Sequence, residues 1–200
     1  MFRKAEILSR IELRQSTIKD WLSCPLMFRY RHVLQLAPSY RSLAAIHGSA
    51  LHLCIHRLHM GGFDLDLGLL YARALEEVLE SESHIPIRWK KGVEEDRLIM
   101  KTHAEEILQG YVNHEQNRTS TLMYSEAKFR VRVSGMMLTG TIDQVRRNMD
   151  STLELIDLKS GMQRPLKRAL QRDWQLNLYA YALRYGEIFI HSSWVRIRMK

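Results

Sequence analysis

The sequence contains little cysteine and no long apolar run, and both absences limit what the protein can be. Its 200 residues include two cysteines, Cys24 and Cys54, and neither belongs to a CxxC pair, so no zinc-ribbon or dithiol redox motif is present. No apolar run approaches the roughly 20 residues that span a bilayer. The first stretch, MFRKAEILSRIEL, is charged throughout and lacks the apolar core of a signal peptide. We therefore expect a cytoplasmic protein with reduced thiols and no membrane partner.

The charge balance is the unusual part of the composition. Thirty Lys and Arg residues against 22 Asp and Glu residues give a net charge of +8, whereas the apolar fraction of 46% is ordinary for a soluble protein. Such a charge favours a polyanionic partner, with nucleic acid ahead of an anionic membrane surface. Because no repeat, low-complexity segment or linker divides the chain, we expect a single domain spanning 1–200.

Helical periodicity dominates the first 120 residues. Ser16 is the predicted N-cap of a short helix that Pro25 ends or kinks. A strong helical pattern then spans 43–60 and stops at two glycines, and further amphipathic helices are predicted at 65–82 and 93–117. This region, 16–120, is the predicted helical part of the domain.

Three histidines lie along one side of the predicted helix at 43–60. His52, His56 and His59 are spaced at i, i+4 and i+7. An HxxxH pair can bind a metal, and a polar helix face is the alternative interpretation. Gly48, one turn before His52, would allow another segment to approach the helix closely.

From residue 122 the apolar period changes to two, which predicts a meander of three strands. The segments are SEAKFRVRV, MMLTGTIDQV and TLELIDLKSG, with turns at 134–135 and 147–150. A register whose turn is centred near Asp150 would set Asp143 near Asp157. A last helix from about Pro165 to Tyr185 and a terminal strand region complete the predicted sheet part, 122–200.

The end of the third strand carries the first functional hypothesis. Asp157, Leu158 and Lys159 follow an apolar strand, and strand alternation would point Asp157 and Lys159 the same way. Ionised groups are costly to bury without partners. A magnesium or manganese ion between Asp143 and Asp157 would supply one, and a surface salt bridge is the alternative.

The order of four short motifs resembles the RecB-like branch of the PD-(D/E)XK nuclease superfamily. The motifs are GxxxH at 48–52, GTID at 140–143, DLK at 157–159 and QxxxY at 175–179. The entry segment STIKDWLSCPLMFRYRHVL is also similar to that branch. The resemblance implies an α/β, restriction-endonuclease-like core with a central mixed β-sheet, an antiparallel meander plus a terminal strand, flanked by helices behind an N-terminal helical region.

The resemblance also implies roles for individual residues. Asp143 and Asp157 would be catalytic metal ligands, the Leu158 carbonyl would add a backbone oxygen, and His52 would be a further ligand that favours manganese over magnesium. Lys159 would position the attacking water and stabilise charge on the phosphate. The supporting residues would be Gln175, Tyr179 and, with a less defined role, Glu126.

The implied activity is that of a metal-dependent deoxyribonuclease, an exonuclease or end-processing enzyme in recombination, repair or phage DNA metabolism. Relatives with an iron–sulfur cluster use one early and three late cysteines; Cys24 matches the first, but no cysteine follows Cys54, so we expect no cluster. The sequence has no Walker-type loop, so a helicase or recombination partner would be a separate protein. The alternative function is a catalytically inactive nucleic-acid-binding module of the same fold.

Overall fold

A computed structural model describes residues 13–81, 83–160, 174–190 and 193–195. The chain divides into two compact units. Unit 1 contains Met1–Ala37, Thr121–Asp157 and Gln163–Lys200, and unit 2 contains Pro38–Ser120 and Leu158–Met162. The N-terminal helices therefore group with the sheet, and the single domain expected over 1–200 stays a prediction.

The longer described helices and strands follow one another in the order that the sequence pattern predicts, whereas the two-residue strands and the π-helical turn are not predicted. In chain order the elements are α1 (Gln15–Ser23), α2 (Pro25–Phe28), a π-helical turn (Arg29–Val33), β1 (Arg41–Ser42), α3 (Leu43–Gly61), α4 (Leu67–Ser81), β2 (Ile87–Arg88), α5 (Val93–Gln116), β3 (Thr121–Val133), β4 (Met136–Arg147), β5 (Leu153–Ile156), α6 (Trp174–Tyr185), β6 (Glu187–Ile190) and β7 (Ser193–Val195).

Unit 2 is a three-helix layer built from α3, α4 and α5. The Ser42 hydroxyl caps α3 by accepting a hydrogen bond from the Ala45 N–H at 3.2 Å. The helix ends where predicted, because Gly62 adopts a φ of 95° that few other residues tolerate. The apolar stripes of the three helices form one core, which includes Leu51, Cys54, Leu58, Tyr71, Ala74, Ala104 and Leu108. These helices are the predicted scaffold.

Unit 1 is organised around a five-stranded sheet with the strand order β5-β4-β3-β6-β7. Every strand pairing in it is antiparallel. Alternating residues of β3, such as Phe129 and Val131, enter a core with β4, β6 and α6. The α/β class is confirmed. The expected mixed pairing is restricted, in the described part of this sheet, to one parallel bridge between Leu13 and Leu138.

Two expectations about helix ends need correction or lie outside the structure. Ser16 is not the N-cap of α1: Arg14 is, and its backbone N–H donates to the Thr17 hydroxyl at 3.2 Å. Pro25 ends α1 as predicted and opens α2, where the Cys24 thiol accepts from the Met27 N–H at 3.5 Å. The predicted start of the last helix near Pro165 lies outside the described residues.

Candidate metal centre

The sheet register places two acidic residues of unit 1 opposite each other, and a third follows directly after the neighbouring strand. On β3 and β4, Ser125 pairs with Gln144 and Ala127 pairs with Ile142, so Glu126 lies opposite Asp143. On β4 and β5, the pairing ends with Gln144 and Ile156, one residue before Asp157. The predicted turn centred near Asp150 therefore produces the predicted register. Asp143 therefore faces Glu126 across the strand pair, and Asp157 directly follows the end of β5.

Glu126 has an unusual backbone conformation for a residue in the middle of a strand. Its φ is 51°, in the left-handed region that non-glycine residues seldom adopt. Holding such a residue costs on the order of 1–3 kcal/mol, and residues of this kind concentrate at functional sites. The conformation interrupts strand alternation at the position that faces Asp143.

The carboxylates of Glu126 and Asp143 are close enough to share one cation. An oxygen of each lies within 4.8 Å of the other, and Asp143 is only 8% exposed. Like charges directly opposite each other destabilise a pair of strands. A bound cation removes this repulsion, and carboxylate oxygens are the ligands that magnesium, calcium and manganese prefer. The donor set therefore fits a hard divalent metal.

Asp157 is held by the last described helix. The Gln175 Nε2 group, at the start of α6, donates to Asp157 Oδ1 at 2.8 Å and to the Tyr179 hydroxyl at 2.7 Å. Gln175 and Tyr179 lie one turn apart on α6, so one helix face presents both. The sequence predicts this i, i+4 pairing, and the structure adds its contact with the carboxylate.

Tyr179 remains a neutral phenol beside these acidic residues. Burial raises the pKa of Tyr179 to about 12, against the hydrogen bond from Gln175, and the charges of Asp157, Asp143 and Glu126 raise it further. A neutral hydroxyl can stay next to three carboxylates without adding a fourth negative charge. Tyr179 therefore lines the carboxylate site with a neutral polar group.

Unit 2 holds the other predicted site residues on α3 and on the segment after β5. A Cβ added at Gly48 would lie 3.3 Å from Ser160 Oγ, so this segment passes close to α3 one turn before His52. Leu158 packs against the helical core, and Lys159 is exposed. Because β5 ends at Ile156, strand alternation does not account for the direction of Lys159.

The three histidines of α3 do not have equivalent surroundings. His59 Nε2 lies 2.6 Å from the Tyr111 hydroxyl, and the His59 ring meets the Phe63 ring edge-on. These contacts lie within unit 2 and account for His59 as a packing residue with a polar partner. The two histidines of the HxxxH pair, His52 and His56, are both half-buried.

Sequence reasoning undervalued Glu126, which it treated as a supporting residue. The only signal was its acidic side chain inside an otherwise alternating strand. The structure shows the left-handed backbone and the cross-strand position opposite Asp143. The cross-strand position follows from the hairpin at 134–135, whose register runs from Val133 and Met136 to Ser125 and Gln144, whereas the left-handed backbone leaves no mark on an alternating pattern.

An α/β fold with facing carboxylates on neighbouring strands of its sheet is typical of a class of protein that binds a hard divalent metal. A family model described as the PD-(D/E)XK nuclease superfamily matches residues 12–193. The chain belongs to this superfamily, which implies nuclease activity with a divalent metal and agrees with a restriction-endonuclease-like fold. A search of curated proteins gave no match. Within the described ranges, no helix is both long and apolar enough to cross a membrane.

Proposed function

We propose that this chain is a metal-dependent deoxyribonuclease of the RecB-like branch. It would hydrolyse phosphodiester bonds at DNA ends as a cytoplasmic exonuclease or end-processing nuclease, in recombination, repair or phage DNA metabolism. The observation that carries the proposal is the pair of facing carboxylates of Glu126 and Asp143, in which Glu126 holds a costly backbone conformation. The net charge of +8 supports a polyanionic substrate such as DNA.

The proposed metal ligands are Glu126, Asp143 and Asp157, with His52 and the Leu158 carbonyl completing the set. The carboxylates suit magnesium and manganese equally well. An imidazole from His52 would shift the preference toward manganese, since magnesium favours oxygen ligands. Glu126 thus moves from a supporting residue to a proposed ligand.

The remaining residues divide the work of phosphodiester hydrolysis. A divalent metal bound to the carboxylates would lower the pKa of a water molecule and neutralise charge on the phosphate. Lys159 would place an ammonium beside the scissile phosphate, where its charge stabilises the negative charge that develops in the transition state. Gln175 would hold the Asp157 carboxylate in its binding orientation through the 2.8 Å hydrogen bond.

The test is cleavage of end-labelled linear DNA and of closed circular DNA, with magnesium or manganese and with a chelator. We expect nucleotide release from linear DNA only, and only with metal. Asp157→Asn and Lys159→Ala should each reduce the rate by at least about 100-fold, the effect typical of removing one electrostatic contact to a transition state. DNA binding by both variants should stay within a few-fold of wild type.

Lys101→Ala is the matched control for Lys159→Ala, since it removes an exposed lysine from the same unit. It should cleave at the wild-type rate. Full cleavage by Asp157→Asn or Lys159→Ala would refute the assignment. If the protein binds DNA without metal but does not cleave it with any divalent metal, the inactive binding module is favoured instead.

A further inference from the structure

Gln15, the first residue of α1, contacts the amide that holds Asp157. The Gln15 Nε2 group donates to Gln175 Oε1 at 3.2 Å, across 160 positions of the sequence. The other end of the Gln175 amide donates to Asp157 and Tyr179. Both ends of the Gln175 side chain are therefore engaged, with its oxygen on Gln15 and its nitrogen on the carboxylate site.

This arrangement matters because a glutamine amide can turn over. Its two ends have nearly the same shape but opposite hydrogen-bonding character. Turned over, Gln175 would direct a carbonyl oxygen at the Asp157 carboxylate, and two acceptors would face each other without a proton. A donor at Gln15 favours the orientation in which the Gln175 nitrogen meets Asp157.

We propose that Gln15 is a positioning residue for the carboxylate site, because its donated hydrogen bond fixes the orientation of the Gln175 amide and so of Asp157. The inference rests on the proposed metal-dependent function. None of the four sequence motifs includes Gln15, which belongs to a helix that precedes all of them.

The start of α1 is anchored well enough for this role. The Thr139 N–H of β4 donates to the Leu13 carbonyl at 2.8 Å, two residues before Gln15. Thr17 is 1% exposed, and Ile18 packs against the core of the sheet unit. Gln15 itself is half-buried. Its side chain therefore starts from a fixed backbone, so that little conformational freedom has to be lost when the hydrogen bond forms.

Three substitutions at Gln15 separate hydrogen bonding from packing. Gln15→Glu presents an acceptor of the same length, Gln15→Met presents neither donor nor acceptor at similar size, and Gln15→Lys keeps a donor. We expect Gln15→Glu to weaken manganese binding and lower kcat by about tenfold, the order of one hydrogen bond to a charged site. Gln15→Met should reduce manganese affinity and kcat by less. Both quantities should stay within a few-fold of wild type in Gln15→Lys.

Manganese affinity, measured by calorimetry on DNA-free protein, gives a readout that does not depend on catalysis. A residue that merely packs would give the opposite order, with Gln15→Met nearest to wild type. Gln15→Glu should also have no further effect in a Gln175→Ala background, because residues that act through one another are not additive. Melting temperatures identify a variant that fails to fold, in which case Gln15→Met supplies the comparison.

The outcomes distinguish the two proposals. If the wild-type protein binds no divalent metal and cuts no DNA, the proposed function itself is wrong. If the wild type binds metal and cleaves, but Gln15→Glu matches it or remains harmful without Gln175, then the role of Gln15 is wrong and the nuclease assignment is unaffected.

Discussion

Replacing Glu126 with glutamine should stabilise the metal-free protein and weaken its response to metal. Glu126 and Asp143 have carboxylate oxygens within 4.8 Å of each other on facing positions of β3 and β4. Without a cation their charges repel. Glutamine has almost the same shape as glutamate and removes one of the two charges, so the repulsion disappears while packing is retained.

The size of the effect follows from the separation of the two charges. At an effective dielectric constant of about 20, two unit charges about 5 Å apart repel each other by roughly 3 kcal/mol. Glu126 is only half-buried, so solvent screening makes this figure an upper bound. For a protein of this size about 1 kcal/mol shifts the Tm by roughly 2–4 °C, so a rise of several degrees is expected.

Manganese should stabilise the wild type more than it stabilises Glu126→Gln. At 100 times its Kd, a ligand that binds only the folded state stabilises that state by about 2.7 kcal/mol. Manganese should therefore restore most of the stability that the wild type loses to repulsion in the absence of metal. The stability of Glu126→Gln should rise only slightly. The predicted result is an inversion: the variant melts higher in a chelator, and the wild type melts higher in manganese.

Differential scanning fluorimetry at low and at moderate salt measures this inversion. Glu106→Gln, an equivalent change at an exposed position of α5, is the matched control and should leave both melting temperatures unchanged. The reasoning is refuted if metal-free Glu126→Gln melts at or below the wild-type temperature and manganese raises both proteins equally.

Two further predictions concern unit 2. Burial, with a smaller effect of the His103 charge, lowers the pKa of His47 from 6.5 to about 4. Between pH 6.5 and pH 4, His47 is protonated in the unfolded chain but not in the folded chain. The free energy of unfolding should therefore fall as the pH drops from 6.5 to 4, by up to about 3 kcal/mol. Urea titrations should show a flatter pH dependence for His47→Gln than for the exposed control His84→Gln, and equal slopes would contradict the burial argument. Gly48→Ala should be tolerated, since Ser160 Oγ at 3.3 Å can shift slightly, whereas Gly48→Val should displace that segment and lower cleavage at least tenfold with the fold retained. Circular dichroism and the DNA assay check this, and a fully active Gly48→Val would contradict it.

Much of the sheet and its register could be predicted from the sequence, because strand alternation and turn residues are local signals. The polar run around Asp150 fixes the hairpin: the Asn148 N–H donates to the Thr152 carbonyl at 2.9 Å, and Asp150 accepts from Thr152. A turn at this position produces the pairing of Gln144 with Ile156, which ends one residue before Asp157. The match between turn position and register is why the pairing of β4 with β5 could be predicted, whereas the meeting of Asp143 and Asp157 stays a prediction.

The parts that could not be predicted depend on irregular backbone or on distant contacts. The register shift between Leu122 and Tyr124 and the left-handed conformation of Glu126 leave no mark on an alternating pattern. The hydrogen bond between Gln15 and Gln175 joins residues whose intervening chain includes both units. Propensity rules describe neighbours, so they do not report which polar side chain of one helix meets which amide of another.

The D-x-K segment shows how local and distant constraints combine at one point of the chain. The strand β5 ends at Ile156, so strand pairing no longer fixes the residues that follow. Asp157 is instead held by the Gln175 amide, and the next side chain, Leu158, is half-buried and packs against the core of the helical unit. The middle residue of the motif is thus an apolar anchor, and its burial limits how far the backbone on either side can move. The proposed backbone ligand at Leu158 and the proposed ammonium at Lys159 both depend on that anchor, although the sequence pattern assigns the position no particular side chain.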